Sequence, residues 1–315
     1  MAYQLGKEAI KGLIDKTDLD PSKVDRVIMG NVISNIKTSN VARESALSAG
    51  VPSKVPCNTV VLACISANQA IAQAVDQIQL GHADIVIAGG TDSVSDIPIL
   101  LSKSMRQKLY NSRNAKAEFS TGRTMGQDCD RMVERIGVKR EDQDAFALRS
   151  HQLAAKATEA GHLSKEIVTI DVAPDFVPIA LDNGIRGDSK IEKLASLKPA
   201  FNKPYGTLTA ANSSFLTDGA AAVLVMSEDK ARELGYKPKA KVVDYVFVGQ
   251  DPEEELLLGP AYATAKILDK TGLSLSDMDV FEFHEAFAGQ VLANIKCLES
   301  DQFAQEKLGK SSAVG

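Results

Sequence analysis

Two spacings of apolar residues alternate along the first part of the chain. Apolar side chains three and four positions apart predict helices over residues 2–17, "AYQLGKEAIKGLIDKT", and over residues 67–81, "ANQAIAQAVDQIQLG", which ends at a glycine. Apolar runs predict strands over residues 24–34, "VDRVIMGNVIS", and residues 83–90, "ADIVIAGG". Strands that alternate with helices of this length indicate an α/β fold with a parallel or mixed sheet and helices on its faces.

The pattern loosens after residue 98 and becomes regular again near residue 215. The intervening part holds a basic stretch, "SKSMRQKLYNSRNAK", a helical segment over residues 140–161, and loops rich in Pro, Asn and Gly. A strand followed by a helix is then predicted over residues 218–235, "DGAAAVLVMSEDKARELG", and a further strand begins within residues 239–249, "KAKVVDYVFVG".

These shifts predict three parts. Residues 1–98 together with 215–240 form a first α/β half, residues 99–214 form a long inserted loop domain, and residues 241–315 form a second half. An internal repeat supports the two halves, because residues 9–25 align without gaps to residues 263–279 with seven identities. Coincidence between two helix-to-strand connections is the alternative, but the apolar positions match as well, which favours a duplication.

The repeat also predicts how far the second half should extend. In the first copy the strand and helix pattern continues to Gly90, and the same distance after the second copy lies beyond Gly315. We therefore expect the second half to be incomplete in this chain, whose last residues, "KLGKSSAVG", predict neither a strand nor a helix.

Composition excludes several classes of protein. The chain has 315 residues, 44% of them apolar and 24% charged, which is typical of a globular protein with a sizeable core. Its net charge of −5 provides no general attraction for nucleic acid. The four cysteines stand far apart without metal-ligand spacing, which disfavours disulfides and zinc and fits a reducing compartment. No apolar run reaches the roughly 18 residues of a membrane span, and the first residues resemble neither a signal nor a transit segment.

Nucleotide and metal motifs are also absent from the sequence. There is no G-x-G-x-x-G after a strand and no G-x-x-x-x-G-K-[ST], so NAD and ATP lack their glycine-rich loops. "HEAFA" begins like the zinc-protease motif H-E-x-x-H, but Ala288 occupies the position of the second histidine.

Cys64 is the residue that points most directly to chemistry. It follows an apolar run and precedes a predicted helix in "NTVVLACISANQA". At a helix N-terminus the unpaired backbone N–H groups and the helix dipole favour a thiolate, which is the reactive form of cysteine. Free cysteine is also among the most buried residue types, so a small core residue is the alternative.

Four segments in order resemble the thiolase family along nearly the whole chain: "ACISANQA", "AGGTDSVSD", "GTLTAANSSFLTDGAAA" and "FEFHEAFAGQ". "HEAF" stands where many thiolases have "NEAF", and together with "NIKTSNVARE" and the text from Gly249 to Pro260 it is most similar to the β subunits of mitochondrial trifunctional proteins. That group consists of long-chain 3-ketoacyl-CoA thiolases. The resemblance implies a duplicated αβαβα fold with a CoA-binding loop domain inserted in the first half.

The resemblance also implies a mechanism with two catalytic residues. Cys64 attacks the 3-keto carbon of a 3-ketoacyl-CoA, acetyl-CoA departs, and fresh CoA releases the acyl group from the cysteine. The backbone N–H of Cys64 matches one oxyanion donor, and His284 matches the residue at the other oxyanion site. An interior histidine with a structural role is the alternative for His284.

Further residues match family positions around CoA, which is a substrate, so no cofactor is expected: Ser214, Met125, Arg186, Ala210, Ala286 and Phe287. Ser214 and Met125 line the pantetheine arm, Arg186 lies near the nucleotide end, and the other three wall the tunnel. The alternatives are core packing for Met125 and Phe287, a hydroxyl bonded to its own backbone for Ser214, and a solvated charge for Arg186. "AGG" over residues 88–90 is interpreted as tight backbone packing and not as a phosphate loop.

The chain departs from the family pattern at four places. The family's first strand, a later G-H-P-x-G-x-T-G segment and a later C-x-G segment are not found, so we expect a chain truncated at both ends. The junction "RNAKAEFSTG" is shorter than in the β subunits, where a membrane-apposing hairpin is expected, which weakens the case for peripheral membrane association.

Two alternatives to the β-oxidation thiolase follow from these observations. One is a non-catalytic, truncated thiolase-like protein, because loss of cooperating catalytic residues lowers rates by orders of magnitude. The other is a biosynthetic acetoacetyl-CoA thiolase, because the fold alone fixes neither direction nor chain length. The resemblance further implies a homodimer, an association with a trifunctional protein α subunit, and a mitochondrial location.

Overall fold

The computed structural model describes residues 1–34, 38–95, 120–172 and 175–315. The basic stretch "SKSMRQKLYNSRNAK", most of the junction "RNAKAEFSTG" and the predicted boundary at residues 98 and 99 lie outside the described residues. The helices of the described part are α1 Ala2–Thr17, α2 Val41–Ser48, α3 Ser66–Gln79, α4 Met125–Ile136, α5 Arg140–Glu159, α6 Ile191–Ala195, α7 Glu228–Glu233, α8 Gly259–Thr271, α9 Ala288–Leu298 and α10 Asp301–Phe303. The strands are β1 Arg26–Gly30, β2 Cys57–Val60, β3 Ile85–Asp92, β4 Ile170–Val172, β5 Val177–Ile179 and β6 Gly219–Met226.

Two compact units are formed. The first is drawn from residues 1–100, 166–181 and 216–243, and the second from residues 101–165, 182–215 and 244–315. The three-part division expected from the sequence, with a separate insertion and second half, stays a prediction.

The first unit is built on a four-stranded sheet with the order β2-β1-β3-β6. Strand β1 runs parallel to both β2 and β3, and β6 runs antiparallel to β3. Successive side chains of a strand point to opposite faces, so the continuous apolar runs of β1 and β3 require cover on both faces. The mixed sheet expected from the sequence is therefore confirmed.

Each face of this sheet packs against its own helices. The cluster on one face joins residues of α1 and α2 to alternate residues of two strands, Val27, Met29, Ile85 and Ile87. The cluster on the other face joins Ala70 and Ala74 of α3 to the intervening residues Ile28, Val86 and Ala88. Small alanines on α3 allow that helix to approach the sheet closely, which places its first turn beside the strand ends.

The internal repeat is visible as two equivalent helix ends. Asp18 caps the end of α1 with φ 51°, and Gly272 caps the end of α8 with φ 69°, so both caps are left-handed. The last threonine of each helix donates its hydroxyl to the carbonyl four residues earlier, Thr17 to Leu13 at 2.7 Å and Thr271 to Ile267 at 2.8 Å. A single 3₁₀ turn follows in both copies. The two copies thus share local structure as well as sequence.

The second unit differs from the first after this shared segment. A buried apolar cluster joins α4, α8 and α9, and no β-strand lies between residues 227 and 315, all of which the structure describes. The strand predicted within residues 239–249 is therefore wrong for this structure. A strand requires a neighbour for its backbone N–H and C=O groups, and no described segment pairs with these residues.

Replacing Gly30 by alanine tests the close approach of α3 to the sheet. A Cβ at this position would overlap the backbone of Ser66 in the first turn of α3, so Gly30→Ala should lower the free energy of unfolding by about 1–3 kcal/mol. Gly219→Ala is the matched control, since nothing lies within 4 Å of its Cβ position, and should change stability by less than about 0.5 kcal/mol. Equal effects of the two changes in urea unfolding would contradict the packing described.

Candidate active site

Cys64 lies in the tight turn between β2 and α3, at the point that the sequence predicted. Its side chain is exposed, which removes the alternative of a small core residue. The residue before it, Ala63, has φ 45° in the left-handed region, which is uncommon for a residue with a side chain. Residues held in this region are often found at functional sites.

Hydrogen bonds inside the turn fix its shape. The backbone N–H of Ile65 donates to the carbonyl of Leu62 at 3.2 Å, and that of Ser66 donates to the carbonyl of Ala63 at 3.1 Å. The side chain of Ser66, which is only 3% exposed, bonds to the backbone on the other side of Cys64. Ile65, the N-cap of α3, makes no side-chain cap.

Two strand glycines form the floor beneath this turn. Gly30 at the end of β1 lies against the backbone of Ser66, and Gly90 in β3 lies against Ala67. A side chain at Gly30 would push the first turn of α3 away from the sheet. The expectation that "AGG" marks close backbone packing agrees with this geometry.

The second unit joins two segments that are far apart in the sequence. The backbone N–H of Ser214 donates to the carbonyl of Ala286 at 2.8 Å, and the N–H of Ala288 donates to the carbonyl of Asn212 at 3.0 Å. Ser213 and Phe287 form the antiparallel bridge between these two bonds. The segments "ANSS" and "HEAFA", each predicted to carry site residues, are thereby held side by side.

A buried polar network fixes the first of these segments. The side-chain amide of Asn212, which is 2% exposed, donates to Asp144 on α5 at 2.9 Å and to the carbonyl of Thr207 at 3.2 Å. The other oxygen of Asp144 accepts from Arg140 at 2.7 Å. Hydrogen bonds to a buried charged group are among the stronger ones in proteins, so this network anchors the loop firmly.

A second buried carboxylate anchors the loop at its beginning. Asp130 on α4 accepts backbone N–H groups from Thr207 at 2.8 Å, Leu208 at 3.0 Å and Asn202 at 3.1 Å. The carboxylate therefore accepts hydrogen bonds from three backbone N–H groups that would otherwise have no acceptor, since burial keeps water away from them. Together, Asp130 and Asp144 hold both ends of the loop that leads to Ser214.

Phe287, Met125 and Ala286 lie at one apolar cluster of the second unit. Phe287 is a buried member, with its ring edge-on to Phe201 at 5.8 Å between centroids. Met125 and Ala286 are half-buried and pack against the same cluster. Met125 begins α4 directly after Thr124, whose side chain forms a capping box with Gln127. Core packing is thus part of what these residues do, and their contact with CoA stays a prediction.

His284 is exposed and lies just before the bridged segment. Its neighbour Glu285 is held from the side, because the hydroxyl of Ser150 on α5 donates to the Glu285 carboxylate at 2.5 Å. This bond holds Glu285 in place, and Glu285 lies between His284 and Ala286, the residue that pairs with Ser214. An interior histidine, the alternative considered for His284, does not fit this exposed position.

The remaining predicted residues are exposed in the second unit. The hydroxyl of Ser214 donates to the carbonyl of Phe215 at 3.2 Å, which is the local bond considered as its alternative. The guanidinium of Arg186 donates to the carbonyl of Asn183 at 2.7 Å, and its backbone N–H donates to His151 at 3.3 Å. Ala210 is also exposed. Their roles in binding CoA stay predictions.

The other three cysteines differ from Cys64 because they are buried or half-buried. Desolvation raises the pKa of Cys57 on β2 and, most strongly, that of Cys129, where the charges of Asp130 and Asp128 add to the effect. Burial raises the pKa of Cys297 to about 11. All three thiols are therefore kept in the neutral form at neutral pH.

Neither a metal site nor a membrane-spanning helix is present among the described residues. No group of three or more His, Cys, Asp or Glu side chains is placed to hold a metal ion there. None of the described helices combines the length and apolar character that crossing a bilayer demands.

Sequence reasoning missed the residues that support the site. Ser66, Asn212, Asp144 and Ser150 all act through hydrogen bonds to the segments that carry the predicted residues. One sequence signal was available for Asp144, a charged residue at a position that the helical spacing of α5 places on the buried face. Nothing in the spacing indicated the other three.

Comparison with known proteins gives family matches over both parts of the chain. The model of the thiolase N-terminal domain matches residues 1–229, and that of the thiolase C-terminal domain matches residues 236–315. The resemblance indicated by the four motifs is thereby confirmed.

Individual relatives agree with these matches. The mitochondrial trifunctional enzyme subunit beta of Mus musculus is 49% identical over all of this chain and 71% of its own length. A probable 3-ketoacyl-CoA thiolase of Caenorhabditis elegans is 48% identical over all of this chain and 75% of its own length. The crystal structure of a Bacillus anthracis acetyl-CoA acetyltransferase aligns with a TM-score of 0.87 at 38% identity, over 96% of this chain and 78% of that one.

Alkylation tests the difference among the four cysteines. At pH 8, iodoacetamide should modify Cys64 first, because it is exposed and the pKa values of the other thiols are raised. Since a raised pKa delays thiolate formation, labelling of Cys297 should increase only as the pH approaches 11. Peptide mapping of the folded chain measures the order, and earlier labelling of Cys129 or Cys297 would contradict the burial described.

Asn212→Ala tests the buried network. The change removes the amide that bonds to Asp144 and leaves a buried carboxylate oxygen without this partner, so the free energy of unfolding should fall by about 2–3 kcal/mol. Asn183→Ala, at an exposed asparagine, is the control and should have an effect below about 0.5 kcal/mol. Denaturant unfolding with indistinguishable curves for the two variants would show that the network does not stabilise the loop.

Proposed function

The chain belongs to the thiolase family, and we propose that it cleaves 3-ketoacyl-CoA in fatty-acid β-oxidation through an acyl intermediate on Cys64. It is an acetyl-CoA C-acyltransferase: the products are acetyl-CoA and an acyl-CoA shortened by two carbons. The α/β fold is the thiolase fold, as the likeness to the acetyl-CoA acetyltransferase structure indicates.

One observation carries the assignment of Cys64. It is the exposed cysteine of the four, and it lies in a strained turn immediately before the first turn of α3. A helix N-terminus offers backbone N–H groups and a favourable dipole to a negative charge, and a thiolate is the charge that this chemistry needs. The apolar N-cap, Ile65, leaves these N–H groups without a side-chain acceptor from the cap position.

In the first half-reaction, the Cys64 thiolate attacks the 3-keto carbon of the substrate. The bond between carbons 2 and 3 then breaks, its electron pair passes to the departing acetyl-CoA enolate, and the enolate takes up a proton. The shortened acyl group stays on sulfur as a thioester. Cysteine suits this step because its thiolate is both a good nucleophile and a good leaving group.

In the second half-reaction, free CoA releases its thiol proton, which balances the proton taken up by the enolate, and the CoA thiolate attacks the carbonyl of the acyl-cysteine. The carbon–sulfur bond to Cys64 breaks, the acyl-CoA is released, and the Cys64 thiolate is restored. Both half-reactions pass through an oxyanion that preorganised donors must stabilise. We assign the backbone N–H of Cys64 to the thioester oxygen and His284 to the second oxyanion, supported by the exposed position of His284 beside the anchored Glu285.

The CoA-binding residues are assigned to the second unit. Ser214 and Met125 contact the pantetheine arm, Arg186 contacts the nucleotide end, and small or apolar residues wall the tunnel, namely Ala210, Ala286 and Phe287. The pairing of Ser214 with Ala286 supports the grouping, because it keeps a polar and an apolar contact next to each other. CoA is a substrate of this reaction, and no resident cofactor is part of the proposal.

The proposed setting follows that of the relatives. We place the protein in mitochondria, as a homodimer that associates with an α subunit of the trifunctional enzyme, on the ground that its relatives are named as mitochondrial β subunits of that enzyme. A peripheral contact with a membrane surface is a weaker part of the same proposal, because the junction "RNAKAEFSTG" is shorter than in the β subunits, and most of that junction lies outside the described residues.

A second candidate activity concerns chain length and direction. The Bacillus anthracis neighbour is titled an acetyl-CoA acetyltransferase, and its likeness favours a short-chain, acetoacetyl-CoA reaction as the alternative. The same Cys64 chemistry serves both, so substrates of different length distinguish them. Faster acylation by a long-chain 3-ketoacyl-CoA than by acetoacetyl-CoA would support the β-oxidation activity.

Acylation of Cys64 tests the proposal. Intact-mass measurement and peptide mapping after incubation with a long-chain 3-ketoacyl-CoA should find one acyl group, located on Cys64. Cys64→Ala should abolish the adduct, whereas Cys57→Ala, at the half-buried cysteine of β2, should keep it. A folded chain that carries no adduct would support the alternative of a non-catalytic thiolase-like protein.

A further inference from the structure

We propose that Ser66 is a positioning residue, whose side chain holds Ala63 in its left-handed conformation and thereby presents Cys64 at the start of α3. The inference rests on the proposed function, in which Cys64 is the nucleophile, and adds to it the residue that sets the direction of its thiol.

The hydroxyl of Ser66 bonds to the backbone on the far side of Cys64 in two ways. It accepts the N–H of Leu62 at 2.8 Å and donates to the carbonyl of Ala63 at 2.6 Å. A hydroxyl is the smallest side-chain group that can accept and donate at once, so one atom fastens two successive residues. Cys64 lies between the fastened residues and Ser66 itself.

One of the two residues that Ser66 binds, Ala63, has a strained backbone conformation. Ala63 has φ 45°, and a residue with a Cβ adopts this conformation only where surrounding contacts impose it. The carbonyl of Ala63 accepts both the hydroxyl and the backbone N–H of Ser66, at 2.6 and 3.1 Å. Without the hydroxyl, the peptide between Ala63 and Cys64 would be held by the backbone bond alone.

Ser66 is itself held in place by its contact with the sheet. It is 3% exposed, and its backbone lies against Gly30 at the end of β1. The hydroxyl is directed back toward the turn, where it bonds residues 62 and 63, whereas a capping side chain bonds forward to the helix. Ser66 therefore links the left-handed residue Ala63 to the sheet. This link gives the thiol of Cys64 a defined position.

The test is the rate at which iodoacetamide alkylates Cys64 at pH 8, followed by peptide mapping of the full chain. Ser66→Ala removes the hydroxyl and should slow alkylation about tenfold, because the turn relaxes and the thiol leaves the helix start. Adding Ala63→Gly to Ser66→Ala should restore the rate to within about threefold, since glycine adopts the left-handed conformation without strain.

Ser196→Ala is the matched control. Its hydroxyl also donates to the carbonyl three residues earlier, Lys193, at 2.8 Å, but at an exposed helix end. This variant should alkylate Cys64 at the wild-type rate. Labelling of the half-buried Cys57 in the same sample reports whether the first unit stays folded.

Two alkylation results would overturn the inference. One is a wild-type rate at Cys64 in Ser66→Ala with Cys57 still protected. The other is a double variant in which Cys57 is protected but Cys64 stays slow. If Ser66→Ala alone exposes Cys57, the double variant decides, and recovery of both rates in it supports the positioning role.

Failure of the proposed function gives a different pattern. A wild-type chain that shows the expected alkylation rates but accepts no acyl group on Cys64 would overturn the function and leave the positioning of the thiol intact. Equal acylation of Cys64 in wild type and Ser66→Ala would overturn the positioning role alone.

Discussion

One steric constraint underlies the candidate site, namely the close contact between the first turn of α3 and the ends of β1 and β3. Gly30 and Gly90 leave room for Ser66 and Ala67, so the helix begins directly on the sheet. This contact fixes where the N–H groups of the first turn point, and the short turn after β2 must then reach the helix through a left-handed residue, Ala63. An exposed thiol at that point meets the charge-stabilising end of a helix, which is what a nucleophile requires.

The second unit achieves its geometry by different means. Buried carboxylates organise its loops: Asp130 gathers three backbone N–H groups, and Asp144 binds Asn212 beside the bridge to Phe287. Backbone pairing then holds the segment of Ser214 against that of His284. Removing one of these carboxylates would leave several buried donors without partners and would lower the stability of the protein. A few residues therefore fix the loops.

Sequence reasoning reached the features that depend on local pattern. The helices over α1, α3 and α5, the strands β1, β3 and β6, and the repeated helix ends all follow from apolar spacing and cap residues. The strand expected within residues 239–249 failed because strand formation depends on a distant partner that spacing does not reveal. Asn212 and Asp144, 68 positions apart, and Glu285 and Ser150, 135 positions apart, were missed for the same reason. Cys64 is the candidate nucleophile because its local pattern and the family motifs agree.

The most direct test of the central claim, that Cys64 carries the acyl group, is isotope exchange between a long-chain acyl-CoA and labelled free CoA in the absence of acetyl-CoA. An acyl-cysteine intermediate predicts that label enters the acyl-CoA, because the second half-reaction alone is reversible, and that Cys64→Ser abolishes the exchange. Exchange that persists in a folded Cys64→Ser variant, or its absence from the wild-type chain, would contradict the claim.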